Sequence, residues 1–125
     1  MESKRSGSQA TRRLLASYYE ALGKHGDWSG MLSDGFMLSG TVTKETRGRD
    51  AYVSNGFFKM VRGLQVRQLI AEGAKGFALS RYDLMSPRGV RFTSDVAEFW
   101  TVKDGRLDSV SIYFDTAAFS KHLAQ

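Results

Sequence analysis

The sequence predicts an α+β fold: a cone-shaped, strongly bent antiparallel sheet wrapped around N-terminal helices. Three observations carry this expectation. Apolar residues recur at helical spacing through the first half of the chain. After Gly63 the apolar period becomes two, the mark of strands with one buried face. Short turn-forming clusters then separate four such runs, giving a meander. Helices segregated from an antiparallel sheet define the class.

Residues 1–7 are polar and are expected to form a disordered tail, with residues 8–125 as a single domain. Ala10, Leu14, Leu15, Tyr18, Ala21 and Leu22 share one helical face, with Ser8 as N-cap and Gly23 at the end. Asp27 is placed to cap a short helix from Trp28 to Ser33. Phe36 to Leu38 reads as a short strand, and Gly40 to Arg49 as a polar loop. A third helix is expected from about Asp50 to Arg62, striped by Val53, Phe57, Met60 and Val61. Gly56 inside it costs about 1 kcal/mol relative to Ala, which fits either a close backbone approach or a tolerated imperfection.

Leu64 to Glu72 and Phe77 to Met85 read as strands joined at Gly73–Gly76. Ser86-Pro87-Arg88-Gly89 is the next turn. Val90 to Val102 then alternates: Val90, Phe92, Ser94, Val96, Glu98, Trp100 and Val102 on one face, with Arg91, Thr93, Asp95, Ala97, Phe99 and Thr101 on the other. Lys103-Asp104-Gly105 turns this strand into Leu107 to Phe114. Asp115 and Thr116 open a terminal helix containing Ala118, Phe119 and Leu123.

The chain has no cysteine, which excludes a thiol nucleophile and thiolate metal sites. Its two histidines, His25 and His122, lie in no ligand-spaced motif, so neither a metal nor a redox cofactor is expected. The net charge of +5 comes from scattered Lys and Arg rather than a run, and nucleic-acid binding is not expected. No apolar run approaches the ~18 residues of a membrane span, and the start lacks the apolar core of a secretory leader. A cytoplasmic location is the expectation.

Glu98 is the most informative residue. A carboxylate amid an apolar face is costly unless paired, hydrogen-bonded or protonated. It reads as a pocket acid or base with a raised pKa, as an inward carboxylate satisfied by Arg67 or Arg81, or as one at the open rim of the cone.

Several pieces in order carry a resemblance: Tyr18-Tyr-Glu-Ala-Leu22, Gly26-Asp27-Trp28, Met31-Leu-Ser-Asp34, Arg47-Gly-Arg-Asp-Ala51, Lys103-Asp-Gly-Arg106 and Ile112-Tyr-Phe-Asp-Thr116. Together they resemble the nuclear transport factor 2-like (cystatin-like) superfamily, in its SnoaL-like polyketide cyclase and ketosteroid isomerase branch. The resemblance implies a cone used as a pocket for hydrophobic small molecules. It also implies a homodimer through the outer sheet face, here Ala97, Phe99 and Thr101. By the same resemblance Tyr18 is the oxyanion donor and Glu98 its acidic partner, as the catalytic pair. The isomerase branch's general base falls at Ser39-Gly40, where no carboxylate stands. The cyclase branch's Asp–His pair is not assigned, because His25 lies in a loop at the wrong end of the first helix.

Trp28, Leu38, Asn55, Phe57, Met60, Tyr82, Val96, Trp100, Ile112 and Phe114 are the expected substrate-binding wall. Tyr18 alternatively reads as a core tyrosine, and Asp115 as an N-cap rather than a pocket carboxylate. Of Tyr82 and Asp83 only one can face inward. His122 is expected in solvent. The expected function is binding of a small hydrophobic molecule by a SnoaL-like domain, with cofactor-independent acid–base isomerase, cyclase or lyase chemistry. The alternative is a non-catalytic ligand-carrier or protein-interaction domain of the same fold.

Overall fold

A computed structural model of the chain describes residues 2–40 and 47–124. Helix α1 spans Glu2–Gly23. It begins ahead of the expected Ser8 cap and runs through most of the stretch expected as a tail. Ser8 instead accepts a hydrogen bond from the Gly73 N–H (2.8 Å), and Thr11 Oγ1 donates to the Gly73 carbonyl (2.6 Å). Together with Arg12 Nη1 on the Leu69 carbonyl (2.8 Å), these bonds pin the helix to the sheet. Its buried face carries Leu15, Tyr18, Tyr19 and Leu22.

The helix expected at Trp28–Ser33 is only a 3-10 turn, Ser29–Met31. Leu32 is extended and pairs with Leu107, so the sheet claims the residues that would have continued the helix. Strand β1 therefore runs Leu32–Gly40, longer than expected. Residues 41–46 of the expected polar loop lie outside the described residues, and Arg47–Gly48 form a short strand, β2.

The single helix expected over 50–62 is two short ones, α2 (Arg49–Val53) and α3 (Phe57–Met60). Side chains that compete for the backbone make the break. Ser54 Oγ donates back to the Asp50 carbonyl (2.8 Å), and Asn55 Oδ1 accepts from the Phe57 N–H (2.9 Å). A Cβ at Gly56 would meet nothing within 4 Å, so no close approach explains that glycine; it sits at the break.

Strands β3 (Val61–Glu72), β4 (Lys75–Met85), β5 (Arg91–Lys103) and β6 (Arg106–Phe114) form the expected antiparallel meander. Asp104 and Gly105 both have positive φ (52° and 75°), as the two-residue β5–β6 hairpin requires. The sheet order is β2-β1-β6-β5-β4-β3. One pairing departs from the expected antiparallel sheet: β1 lies parallel to β6, with Leu38 opposite Val110 and Gly40 opposite Ile112. Register shifts at Val66/Gln68 and Thr101/Val102 mark irregularities of the kind that bend strands. Helix α4 (Thr116–Ala124) follows, and Asp115 Oδ1 accepts the Ala118 N–H at 3.0 Å as its N-cap.

The α+β, cone-like architecture is the expected one. Leu15, Tyr18, Leu32, Phe36, Trp100, Leu107 and Val110 fill the space between α1 and the sheet. Among the described residues no helix is long and apolar enough to cross a membrane.

Candidate active site

Strand β5 alternates as its sequence dictates: Phe92, Val96, Glu98 and Trp100 are buried, while Thr93, Asp95 and Phe99 are exposed. Glu98 is 3% exposed. Neither candidate arginine reaches it. Arg81 pairs with Asp95 on the outer face (3.1 Å), and Arg67 is exposed.

Tyrosines hold Glu98 instead. Its Oε1 accepts hydrogen bonds from the Tyr19 and Tyr82 hydroxyls, each at 3.0 Å. The Tyr19 oxygen in turn accepts from Trp100 Nε1 at 2.9 Å. An indole N–H only donates, so the Tyr19 proton must point to the carboxylate. Among the described residues Oε2 has no hydrogen-bond partner, and Glu98 lines a cavity of about 180 Å³. Burial raises the Glu98 pKa from 4.5 to about 7, against the lowering effect of the Tyr19 and Tyr82 hydrogen bonds. Burial likewise pushes the hydroxyls of Tyr18, Tyr19, Tyr52 and Tyr82 well above their usual range, so all four remain protonated donors.

The expected Tyr18–Glu98 pair is thus corrected. Tyr18 bonds to the Tyr52 hydroxyl at 2.6 Å, and Tyr19 is the helix α1 tyrosine that meets Glu98. Adjacent helical residues point about 100° apart. Both are buried because α1 lies deep against the sheet, with their rings edge to face at 5.1 Å.

The cavity wall draws on β1, the two short helices, β4 to β6 and α4. Leu38, Ser39 and Gly40 of β1 form one side, and Tyr52, Asn55, Phe57 and Phe58 another. Tyr82, Val96, Ile112 and Phe114 come from the sheet, and Phe119 from α4. Of the expected wall, Leu38, Asn55, Phe57, Tyr82, Val96, Ile112 and Phe114 lie there. Trp28, Met60 and Trp100 do not. Trp28 packs against Tyr18, Tyr52 and Phe58 in the core. Trp100 stands behind Tyr19, and Met60 faces a neighbouring hollow.

Tyr82 faces inward and Asp83 outward. Asp115 is the helix cap described above. Ser39, at the position of the resembled branch's base, shares its hydroxyl with Ser111 (3.0 Å). His122 is not in open solvent: its ring stacks on Phe92 at 4.8 Å, with Nδ1 buried and without a hydrogen bond. His25 is exposed at the end of α1.

Sequence reasoning missed Tyr19, Tyr52, Phe58 and Phe119. The tyrosine doublet at 18–19 signalled only that the buried face of α1 was wide. Among the described residues no three His, Asp or Glu side chains gather as metal ligands. Chemically, the site offers one carboxyl group that can hold or take a proton near neutral pH, facing an apolar cavity.

No protein-family model matches the sequence, and no curated protein matches it. Solved structures do match in fold. A protein assigned to the SnoaL-like polyketide cyclases from Jannaschia sp. CCS1 superposes with TM-score 0.80 at 12% identity, covering 94% of this chain and 93% of that one. TerC, crystallised with polyporic acid, gives 0.77 at 16% identity, covering 93% and 99%. An LEH-like epoxide hydrolase from M. tuberculosis gives 0.74 at 21% identity, covering 94% and 91%. The chain therefore has the SnoaL-like, nuclear transport factor 2-like fold.

Proposed function

We propose that this domain binds a small, largely apolar carbonyl compound in the Glu98 cavity and moves a proton on it without a cofactor, as an isomerase, cyclase or lyase does. One observation carries this reading. Glu98 has one oxygen fixed by two tyrosines and the other without a partner among the described residues, in an apolar cavity that brings its pKa to about 7. A carboxyl group near half ionisation at working pH serves as either base or acid. The reaction class that fits is proton removal next to the carbonyl and return elsewhere. Tyr19, whose hydroxyl bonds Glu98 Oε1 and Trp100 Nε1, is a positioning residue, while Tyr82 both bonds Oε1 and lines the cavity. The cyclase assignment of one fold relative and the co-crystallisation of another with polyporic acid support the ligand class.

The test is α-proton exchange. Cyclic ketones and enones that stabilise the protein thermally are incubated in deuterated buffer. Wild type should exchange the α-proton and Glu98→Gln should lose about 100-fold or more of the rate. Binding without exchange in wild type would sink the catalytic reading.

A carrier is the second reading. It is favoured by Ser39 and Gly40, which leave the cavity with no second carboxylate in its lining among the described residues. Homodimer formation through the outer face belongs to the same proposal. It is supported by Phe99 and Tyr113, both about half exposed, with Phe77 beside Phe99 at 4.9 Å. Light scattering on wild type and Phe99→Lys decides it, a monomeric wild type being the contrary result. A cytoplasmic location fits the cysteine-free composition.

A further inference from the structure

The Glu98 cavity adjoins a second hollow of about 640 Å³. Asn55, Phe57 and Phe119 line both, and the Phe57 and Phe119 rings, packed on each other with centroids 6.1 Å apart, form the partition between them. The outer hollow has apolar walls, including Met60, Met85 and Leu123. Among the described residues its charged lining consists of Lys59 and Arg62 alone, with no carboxylate. Arg62 Nη1 donates to the backbone carbonyls of Lys59 (2.8 Å) and Val61 (3.3 Å). Those bonds orient the guanidinium without neutralising it.

The two compartments therefore differ in what they accept. The inner one is apolar and contains Glu98, so a second carboxylate there would be desolvated beside a like charge. The outer one presents two cations on the far side of the Phe57–Phe119 partition. We propose that the ligand of this site is an amphipathic acid. Its apolar body enters the inner cavity by displacing the Phe57–Phe119 ring contact, and its carboxylate stays outside against Lys59 and Arg62. The proposal rests on the reading that the inner cavity takes an apolar ligand. The net charge of +5 favours the approach of such an anion.

Matched ligands test it. N-phenyl-1-naphthylamine, a neutral fluorescent probe, reports occupancy of the inner cavity, and decanoate and decanol compete for it with the same chain and different heads. Relative to decanol, decanoate should lose about tenfold in affinity when Lys59→Met and Arg62→Met are combined, the size expected of two partly exposed ion pairs. The charge-keeping pair Lys59→Arg with Arg62→Lys should retain the preference. In wild type, added salt should weaken decanoate and leave decanol unchanged, a measurement that does not depend on the variants folding. If the probe binds but the decanoate-to-decanol ratio is the same in the methionine variant, or insensitive to salt, the acid-binding role of Lys59 and Arg62 is overturned and the inner cavity stands. If neither the probe nor decanol binds wild type, the cavity reading fails and takes this inference with it.

Discussion

The Tyr19 hydroxyl stands between Trp100 and Glu98, accepting from the indole at 2.9 Å and donating to Oε1 at 3.0 Å. Two buried polar groups depend on this one oxygen. Tyr19→Phe strands the indole N–H and removes a donor from the carboxylate. It should cost about 1–3 kcal/mol in denaturant unfolding. It should also raise the Glu98 pKa beyond about 7, since the lost hydrogen bond was lowering it. Carbon-detected NMR titration of the Glu98 carboxyl reads this directly; an unmoved or lowered pKa would contradict the relationship.

Tyr18→Phe separates the two tyrosines. It leaves the Tyr52 hydroxyl without its 2.6 Å partner but touches no bond of Glu98. The expected result is a stability loss of about 1–2 kcal/mol with the Glu98 titration in place. A shifted titration would restore Tyr18 to the role that the resemblance implied.

Glu98→Gln should change how stability depends on pH. The folded pKa of about 7 lies above the ordinary 4.5, so between these values the folded state holds a proton that the unfolded state has released. Wild-type stability therefore falls as pH rises through that window, by roughly 3 kcal/mol, and is flat for this group outside it. Glutamine has no such titration. The variant should gain on wild type from below the window to above it, in urea unfolding at a series of pH values. A difference between the two proteins that stays constant with pH would rule Glu98 out as the titrating group.

Gly40→Ala should be destabilising by about 1–3 kcal/mol. Gly40 has φ of +152°, and a Cβ there would run into the Ile112 backbone. Because Gly40 lines the cavity, the variant should also weaken any ligand. An alanine variant as stable as wild type would show that the β1–β6 pairing tolerates a side chain there.

Much of this was legible because it is written at short range. The alternation through Val90–Val102 placed Glu98 among buried side chains, and the Asp104-Gly105 turn fixed its hairpin. What escaped is non-local or finely local. Nothing near Leu32 announces that a strand some seventy residues on will pair with it and shorten the helix before it. The Tyr18–Tyr19 doublet left two adjacent candidates, and only the depth at which α1 sits decides that Tyr19 meets the carboxylate. Asn55 and Ser54 split a helix through single hydrogen bonds, which the apolar stripe of Val53, Phe57 and Met60 conceals.

The parallel pairing of β1 with β6 has a kinetic consequence. Ser39 and Ser111, bonded across it, are 72 residues apart in the chain. Loop-closure entropy and high contact order make such a contact slow to form, whereas the β4–β5 and β5–β6 hairpins zip locally. On a ribosome, β1 emerges long before its partner exists and must wait with an unpaired edge. The meander around Glu98 then assembles before β1 can dock, so a strand made early is among the last to take its place in the wall.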